Sequence, residues 1–296
     1  MMLDVILALL PIVAWSVFSF GWRALLIVAV SVIFSVLFDL IFCRIAKRET
    51  QAADLSAVVS GLVFGLTLPV TVPLWLPAAG AFVSMIIFKQ VFGGTGKNPV
   101  NPAMCARALL YPVISMVSIM TPAGCRFDSP ALVLSDEAVA AVLGAHEAPD
   151  AYRAVDYIVG NTEGTIGEIS AVLILAAAVF LCVRKTVSWQ VPAAFAGTGL
   201  VIIFISVMFG PDIRETLTAV LGSVLFVSVF SATDPVTSPV IPAGRLIYGA
   251  GCGILAMALY FLFRINGTYF AVPVMNLLSK PIDDMVLRIR MKKSFR

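Results

Sequence analysis

The sequence predicts an all-α integral membrane protein with about ten transmembrane helices. Three observations carry that prediction: an apolar excess that no globular core can hide, a succession of membrane-length apolar runs, and a one-sided distribution of basic residues. Of 296 residues, 60% are hydrophobic and 12% charged, with a mean hydropathy of +1.01. Soluble domains carry about 25% charged residues, so the bilayer is the solvent for most of this chain. Nothing in this balance points to a nucleic-acid partner.

The runs are Leu3–Phe20, Trp22–Phe42, Leu55–Leu68, Leu74–Val91, Met104–Met120, Ile169–Val183, Trp189–Phe209, Leu217–Phe230, Leu246–Phe263 and Tyr269–Leu278. A full span needs about 20 residues. The first run lacks a basic n-region and no A-x-A-like site follows it, so it is expected to stay as an anchor. The third, sixth, eighth and tenth are short. They are expected to borrow flanking residues, or to be tilted, broken or shielded by neighbours.

Orientation follows from the basic residues. With the N-terminus in the cytoplasm, fifteen of the twenty Lys and Arg fall inside, and only Arg23, Arg126, Arg153, Arg214 and Arg264 fall outside. Both termini are therefore expected to be cytoplasmic. Residues 1–296 form a single polytopic membrane domain, with residues 121–168 as an external loop between the fifth and sixth helices. Ten spans are compatible with two inverted five-helix repeats. DLSAV at Asp54–Val58 resembles EISAV at Glu168–Val172, although these precede the third and sixth spans, which a five-helix repeat does not pair.

Two polar, proline-rich turns interrupt the apolar runs: FGGTGKNPVNPAMCARALLYP, Phe92–Pro112, and SATDPVTSPVIPAGR, Ser231–Arg245. Irregular backbone at membrane depth survives only where protein or a cavity covers it. In the first turn Gly93, Gly94 and Gly96 allow positive φ, and Lys97 and Asn98 supply donors. Asn101-Pro102 opens a helix, with Arg107 about a turn further in. This set suits an anionic or carbonyl-bearing ligand such as a flavin ring or phosphate. The competing reading is a well-capped re-entrant turn. In the second turn Thr233, Asp234 and Thr237 read either as a rigid connector or as a coupling-ion or quinone-like contact.

A third motif, GNTEGTIGEIS at Gly160–Ser170, carries Asn161 and Glu168 at the outer mouth of the sixth span. Glu168 is a functional candidate as an acid at the membrane edge, and equally the partner of Thr165 in a capping box. The candidate cofactor-binding residues are thus Gly94, Asn98, Asn101, Arg107, Asn161, Glu168, Thr233 and Asp234. Asp39, just before Leu40, is a further acid that reads as solvated or as part of an ion path. The five cysteines form no C-x-x-C and the single histidine stands alone, so no zinc or iron–sulfur ligand set is supplied. No Walker loop, Rossmann fingerprint, G-x-S-x-G or H-E-x-x-H occurs.

Six stretches then stand in a fixed order from Met2 to Asp283: MLDVILALLP, DLSAVVSGLVFGLTLP, FGGTGKNPVNPAMCARALLYP, GNTEGTIGEIS, ATDPVTSPV with GRLIYGAG, and YFAVPVMNLLSKPID. In these the chain resembles the RnfD family, the D-type membrane subunits of the Rnf complex, an ion-translocating ferredoxin:NAD oxidoreductase. That family is homologous to the B-type subunits of the sodium-pumping NADH:quinone oxidoreductase, whose longer N-terminal part makes them the poorer fit. The resemblance implies a subunit of a redox-driven translocase in a bacterial or archaeal cytoplasmic membrane, with no complete active site of its own. Electrons would pass between reduced ferredoxin and NAD, coupled to Na⁺ or H⁺ movement. It further implies an FMN or riboflavin cofactor and partner subunits that carry flavin and iron–sulfur centres. The family links FMN to a threonine of an S-G-A-T-like motif in the outer loop. Here Ser129-Pro130-Ala131-Leu132 stands in that region without the threonine, so covalent attachment is assigned to no residue. Two other readings compete: a stand-alone inverted-repeat channel or secondary transporter, and a structural subunit that has lost its flavin site.

Overall fold

The computed structural model describes residues 1–47, 54–120, 165–207 and 213–294, and every regular element among them is helical. In chain order these are α1 (Met2–Phe20), α2 (Trp22–Ile45), α3 (Ser56–Leu66), α4 (Trp75–Phe82), which passes into a π-helical stretch (Val83–Gln90), α5 (Pro102–Leu109) and α6 (Tyr111–Met120). Then follow α7 (Ala171–Val183), α8 (Gln190–Val207), α9 (Ile213–Phe230), α10 (Pro242–Phe263), α11 (Thr268–Leu277) and α12 (Ser279–Ser294). Helices α1, α2 and α10 are long and apolar enough to cross a membrane.

The helices turn large apolar side chains both ways. Leu9, Ile12, Phe64, Phe195 and Tyr248 fill the interior, while Leu3, Phe18, Trp22, Phe204, Leu262 and Phe263 stand exposed on the outside. In water such a surface would aggregate; in a bilayer it is solvated.

The described parts of the predicted runs are recovered as helices, with two changes, and the third run is as short as expected. The fifth run, expected as one span over Met104–Met120, is two helices broken at Leu110, because Pro112 has no N–H to continue the ladder. The tenth run ends at Leu277, and the tail beyond it is not a loose extension but the 16-residue helix α12. There Pro281 forces the same kind of break. The third run is also short: α3 has 11 residues, roughly 16 Å at 1.5 Å per residue, about half a bilayer. It stops at Thr67, where the chain turns back through Pro69 and Pro73.

A repeat emerges once α3 and α9 are compared. Leu55–Phe64, LSAVVSGLVF, recurs as Leu217–Phe226, LTAVLGSVLF, and Thr67–Pro73, TLPVTVP, recurs as Thr233–Pro239, TDPVTSP. The better partner of DLSAV is therefore TLTAV at Thr216–Val220, not EISAV. This pairs the third span with the eighth, as a five-helix repeat requires. Packing repeats as well: α2 lies against α3 and α4 as α8 lies against α9 and α10, and α5 meets α3 as α11 meets α9.

The two copies of the Thr-x-Pro-Val-Thr-x-Pro turn lie at opposite ends of the helices. The first is held near the start of α2, where Arg23 Nε donates to the Val70 carbonyl at 2.9 Å and Nη2 to Val72 at 3.2 Å. The second lies near the start of α1, sharing a cavity with Met1 and Met2.

Glycines set the closest helix approaches. A Cβ at Gly61 of α3 would lie 2.8 Å from Val32 Cα, and one at Gly253 of α10 would lie 2.8 Å from the Phe195 carbonyl oxygen. Gly61-x₃-Gly65 and Gly249-x₃-Gly253 are thus small-residue seams, the device that lets helices touch in lipid.

Candidate functional site

The two polar turns converge on one cavity. It encloses about 800 Å³ of atom-free space, its open mouth included. Asn98, Asn101, Thr233 and Asp234 face it together with Ser56, Lys89 and Thr95, and Val59, Val63, Val229 and Phe230 give it an apolar wall.

The first turn is shaped by Gly93, Gly94 and Gly96, whose φ values of 113°, 89° and 84° favour a residue without a Cβ. Asn101 then caps α5, its Oδ1 accepting from the Met104 N–H at 3.2 Å with Pro102 as the first helical residue. The same side chain crosses to the second turn, Nδ2 donating to the Ser231 carbonyl at 3.1 Å. Its backbone N–H donates to Asn276 Oδ1 at 3.0 Å. Asn276 Nδ2 in turn donates to the Thr237 carbonyl at 3.2 Å and to Tyr248 Oη at 2.7 Å. Two asparagines thus fasten both turns and α11 into one frame.

Polar capacity is left over at this place. Asn98 Oδ1, in the cavity lining, is buried without a hydrogen-bond partner among the described residues, and so are Ser231 Oγ and Thr237 Oγ1 of the second turn, which lie outside the lining. The Ala103 N–H in the first turn of α5 also starts beside the cavity; Pro102 has no N–H, and those of Met104 and Cys105 are taken by Asn101.

Two carboxylates stand at or next to the cavity: Asp234 lines it, and Asp54 accepts at 2.8 Å from the N–H of Ser56, which lines it. Burial pushes Asp234 above the usual carboxylate range, against the Val236 N–H that donates to its Oδ1 at 3.1 Å. Burial also raises Asp54, but donors from Ser56, Thr95 and the Lys89 charge outweigh it and hold that carboxyl below its ordinary value.

Not every predicted residue belongs here. Gly94 shapes the turn but does not line the cavity. Arg107, expected beside the first turn, points to the opposite end of α5. Its Nε donates to the Thr67 carbonyl at 3.0 Å, and its guanidinium lies 4.2 Å from the Tyr269 ring centre. Glu168 joins that cluster, not the cavity, accepting from Tyr269 Oη at 2.8 and 3.0 Å. The capping box is not formed either: Ser170 caps α7 and Thr165 stands outside the helix. Asn161 lies outside the described residues.

Sequence reasoning missed Ser56, Lys89 and Thr95. The available signal is Lys89-Gln90, a charged and a polar residue closing an otherwise apolar run, which the charge count uses only as a marker of the inner face.

Comparison with known proteins identifies the family. The model of the NQR2, RnfD, RnfE family matches residues 1–292. The chain is 32% identical over 293 residues to the D-type subunit of the Na(+)-translocating ferredoxin:NAD(+) oxidoreductase complex of Acetobacterium woodii, covering 95% of this chain and 87% of the relative. It is 31% identical to the D-type subunit of the ion-translocating oxidoreductase complex of Stutzerimonas stutzeri, covering 98% and 90%. The B-type subunit of the Na(+)-translocating NADH-quinone reductase of Chromohalobacter salexigens is 31% identical but shares only 75% of this chain and 56% of its own length. With its family model matched almost end to end, this chain belongs to the NQR2, RnfD, RnfE family.

Proposed function

We propose that this chain is the RnfD-type membrane subunit of an Rnf complex, relaying electrons through a flavin and coupling their flow to Na⁺ or H⁺ movement. The cavity between the two polar turns is its flavin site, and the flavin, FMN or riboflavin, is held there without a covalent bond. One observation carries this reading: two turns more than a hundred residues apart meet at a single cavity, which has an apolar wall from α3 and α9 and the unpartnered Asn98 Oδ1 in its lining.

A flavin ring has flat apolar faces and one edge of carbonyls and N–H groups. Val59, Val63, Val229 and Phe230 suit the faces. Asn98 Oδ1 is an acceptor awaiting a donor, and Thr95 and Thr233 supply hydroxyls to the edge. The start of α5 suits a phosphate, should the flavin be FMN. When bound, the flavin supplies one- and two-electron chemistry; the protein fixes its place and excludes water from its ring.

The proposal includes ten spans in two inverted five-helix halves, both termini cytoplasmic, and residues 121–168 as the outer loop. The repeated turns at opposite ends support the inversion, and the basic residues support the orientation. The chain works beside flavin-bearing and iron–sulfur subunits in a bacterial or archaeal cytoplasmic membrane.

Acid denaturation of the purified chain tests the site. Flavin released to the supernatant is expected, with occupancy reduced about tenfold in Asn98→Ala/Thr233→Val as two polar contacts are lost. A fluorescent band that survives denaturation at this mass would overturn the non-covalent assignment. A colourless preparation would favour the transporter reading.

A further inference from the structure

Beside the cavity, the seam between α2 and the π-helical stretch holds charge that flavin binding does not require. Asp39 and Lys89 pair at 3.1 Å with both side chains about 2% exposed. Gln90 Nε2 donates to the same Asp39 oxygen at 2.7 Å. Spacing by four places Ser31, Ser35, Asp39 and Cys43 on one buried face of α2.

Two hydroxyls on the elements that carry this pair are orphaned, and Ser35 Oγ lies where α2 meets Gly61 of α3. Ser35 Oγ and Ser84 Oγ are buried and have no hydrogen-bond partner among the described residues. Ser35 lies one turn from Asp39 on the same face, and Ser84 lies five residues before Lys89 in the π-helical stretch, whose bonds run between residues five apart. Buried hydroxyls are costly to leave unmatched, and π-helical turns recur at functional sites.

We propose that Asp39 is a binding site for a small monovalent metal cation, and that Lys89 fills it here as a tethered counterion. When the cation enters, Asp39 supplies the carboxylate, and Ser35 and Ser84 supply neutral oxygen ligands, the donors hard cations prefer. Lys89 has a second place to go. Its Nζ already donates to Ser56 Oγ at 2.8 Å, and that hydroxyl meets Thr95 Oγ1 at 3.1 Å on the cavity wall. An anionic occupant of the cavity draws the ammonium toward Ser56 and frees Asp39 for the cation. This last coupling rests on the cavity reading above; the cation site does not.

The test uses the full chain in detergent, melted in NaCl against choline chloride at matched ionic strength. A saturable Na⁺-dependent rise in Tm is expected. Asp39→Asn should abolish it. Ser35→Ala/Ser84→Ala, which spares the ion pair, should raise the half-saturating Na⁺ concentration about tenfold. Lys89→Met and Lys89→Gln should lower it, because the tethered competitor is gone. No Na⁺ response in the parent chain, a response retained in Asp39→Asn, or an unmoved midpoint in the serine variant overturns the site, whether or not the Lys89 variants fold. A midpoint unchanged or raised in a folded Lys89 variant overturns the counterion role. Repeating the titration with flavin loaded and depleted separates the readings: flavin that binds but leaves the Na⁺ midpoint fixed removes the coupling alone. Absence of flavin binding removes the cavity assignment and leaves the Na⁺ response standing.

Discussion

Asn101 caps a helix N-terminus, crosses to the other turn and is itself buried, so its loss should be felt in both stability and site geometry. Removing the cap costs about 1 kcal/mol and the buried cross-turn bond about 1 more. Asn101→Ala is therefore expected to lower unfolding free energy by about 2 kcal/mol, measured by denaturation in detergent, and to lower flavin occupancy with it. Asp234 makes a pH prediction. Its pKa is raised in the folded chain, so the folded state holds the proton more tightly than the unfolded one. The associated stability is complete below the unfolded value of about 3.9 and is lost as pH rises to the folded value. Asp234→Asn can keep the bond from the Val236 N–H, so it should melt higher than the parent at neutral pH, with the gap closing in acid. At this scale Asn98, Asn101, Thr233 and Asp234 were legible, because residues of these types are out of place in an apolar run. The direction of Arg107 was not legible: spacing told how far into α5 it sits, not which way its long side chain turns.

Among the elements, the ends of the apolar runs located the helices well, and the breaks were written in proline. Pro112 lies two residues after the break at Leu110, and Pro281 three after that at Leu278. These signals were present but outweighed by the apolar continuity around them. The π-helical stretch had no signal that single-sequence reading could use, since an altered hydrogen-bond register leaves composition unchanged. The repeat of α3 in α9 was hidden for another reason. Four extra residues separate the helix motif from the turn motif in the second copy, so the two halves of the match fall out of register. The glycine seams give a test at this scale. A side chain at Gly253 meets the α8 backbone, not a flexible neighbour. Gly253→Val should cost about 1–3 kcal/mol as overpacking, whereas Gly197, which meets nothing within 4 Å, should accept alanine with little change.

For the molecule as a whole, charge asymmetry and the repeated turns make one orientation the natural one. A reporter fused after Arg296 is expected to be active in the cytoplasm, and one inserted within residues 121–164 only on the outer side. The opposite result for either would invert the proposed topology.

The two turns share a sequence frame but not a fate. The Thr67–Pro73 copy carries Leu68 where the Thr233–Pro239 copy carries Asp234, and carbonyls at and just before its start are occupied: the Gly167 N–H donates to Leu66 at 2.7 Å and the Ile166 N–H to Leu68 at 3.0 Å. The second copy opens on the cavity, which in the proposed orientation is a cytoplasmic vestibule. Water conducts and packed protein does not, so an applied voltage falls mostly across the closed end. Moving one charge through the full drop is worth about 2.3 kcal/mol per 100 mV. A charge resting in the vestibule is nearly at the potential of the adjoining solution, so its binding there should scarcely notice the membrane potential. In the proposed orientation the electrical work is expected in the packed protein beyond it, around Thr67, Arg107 and Glu168.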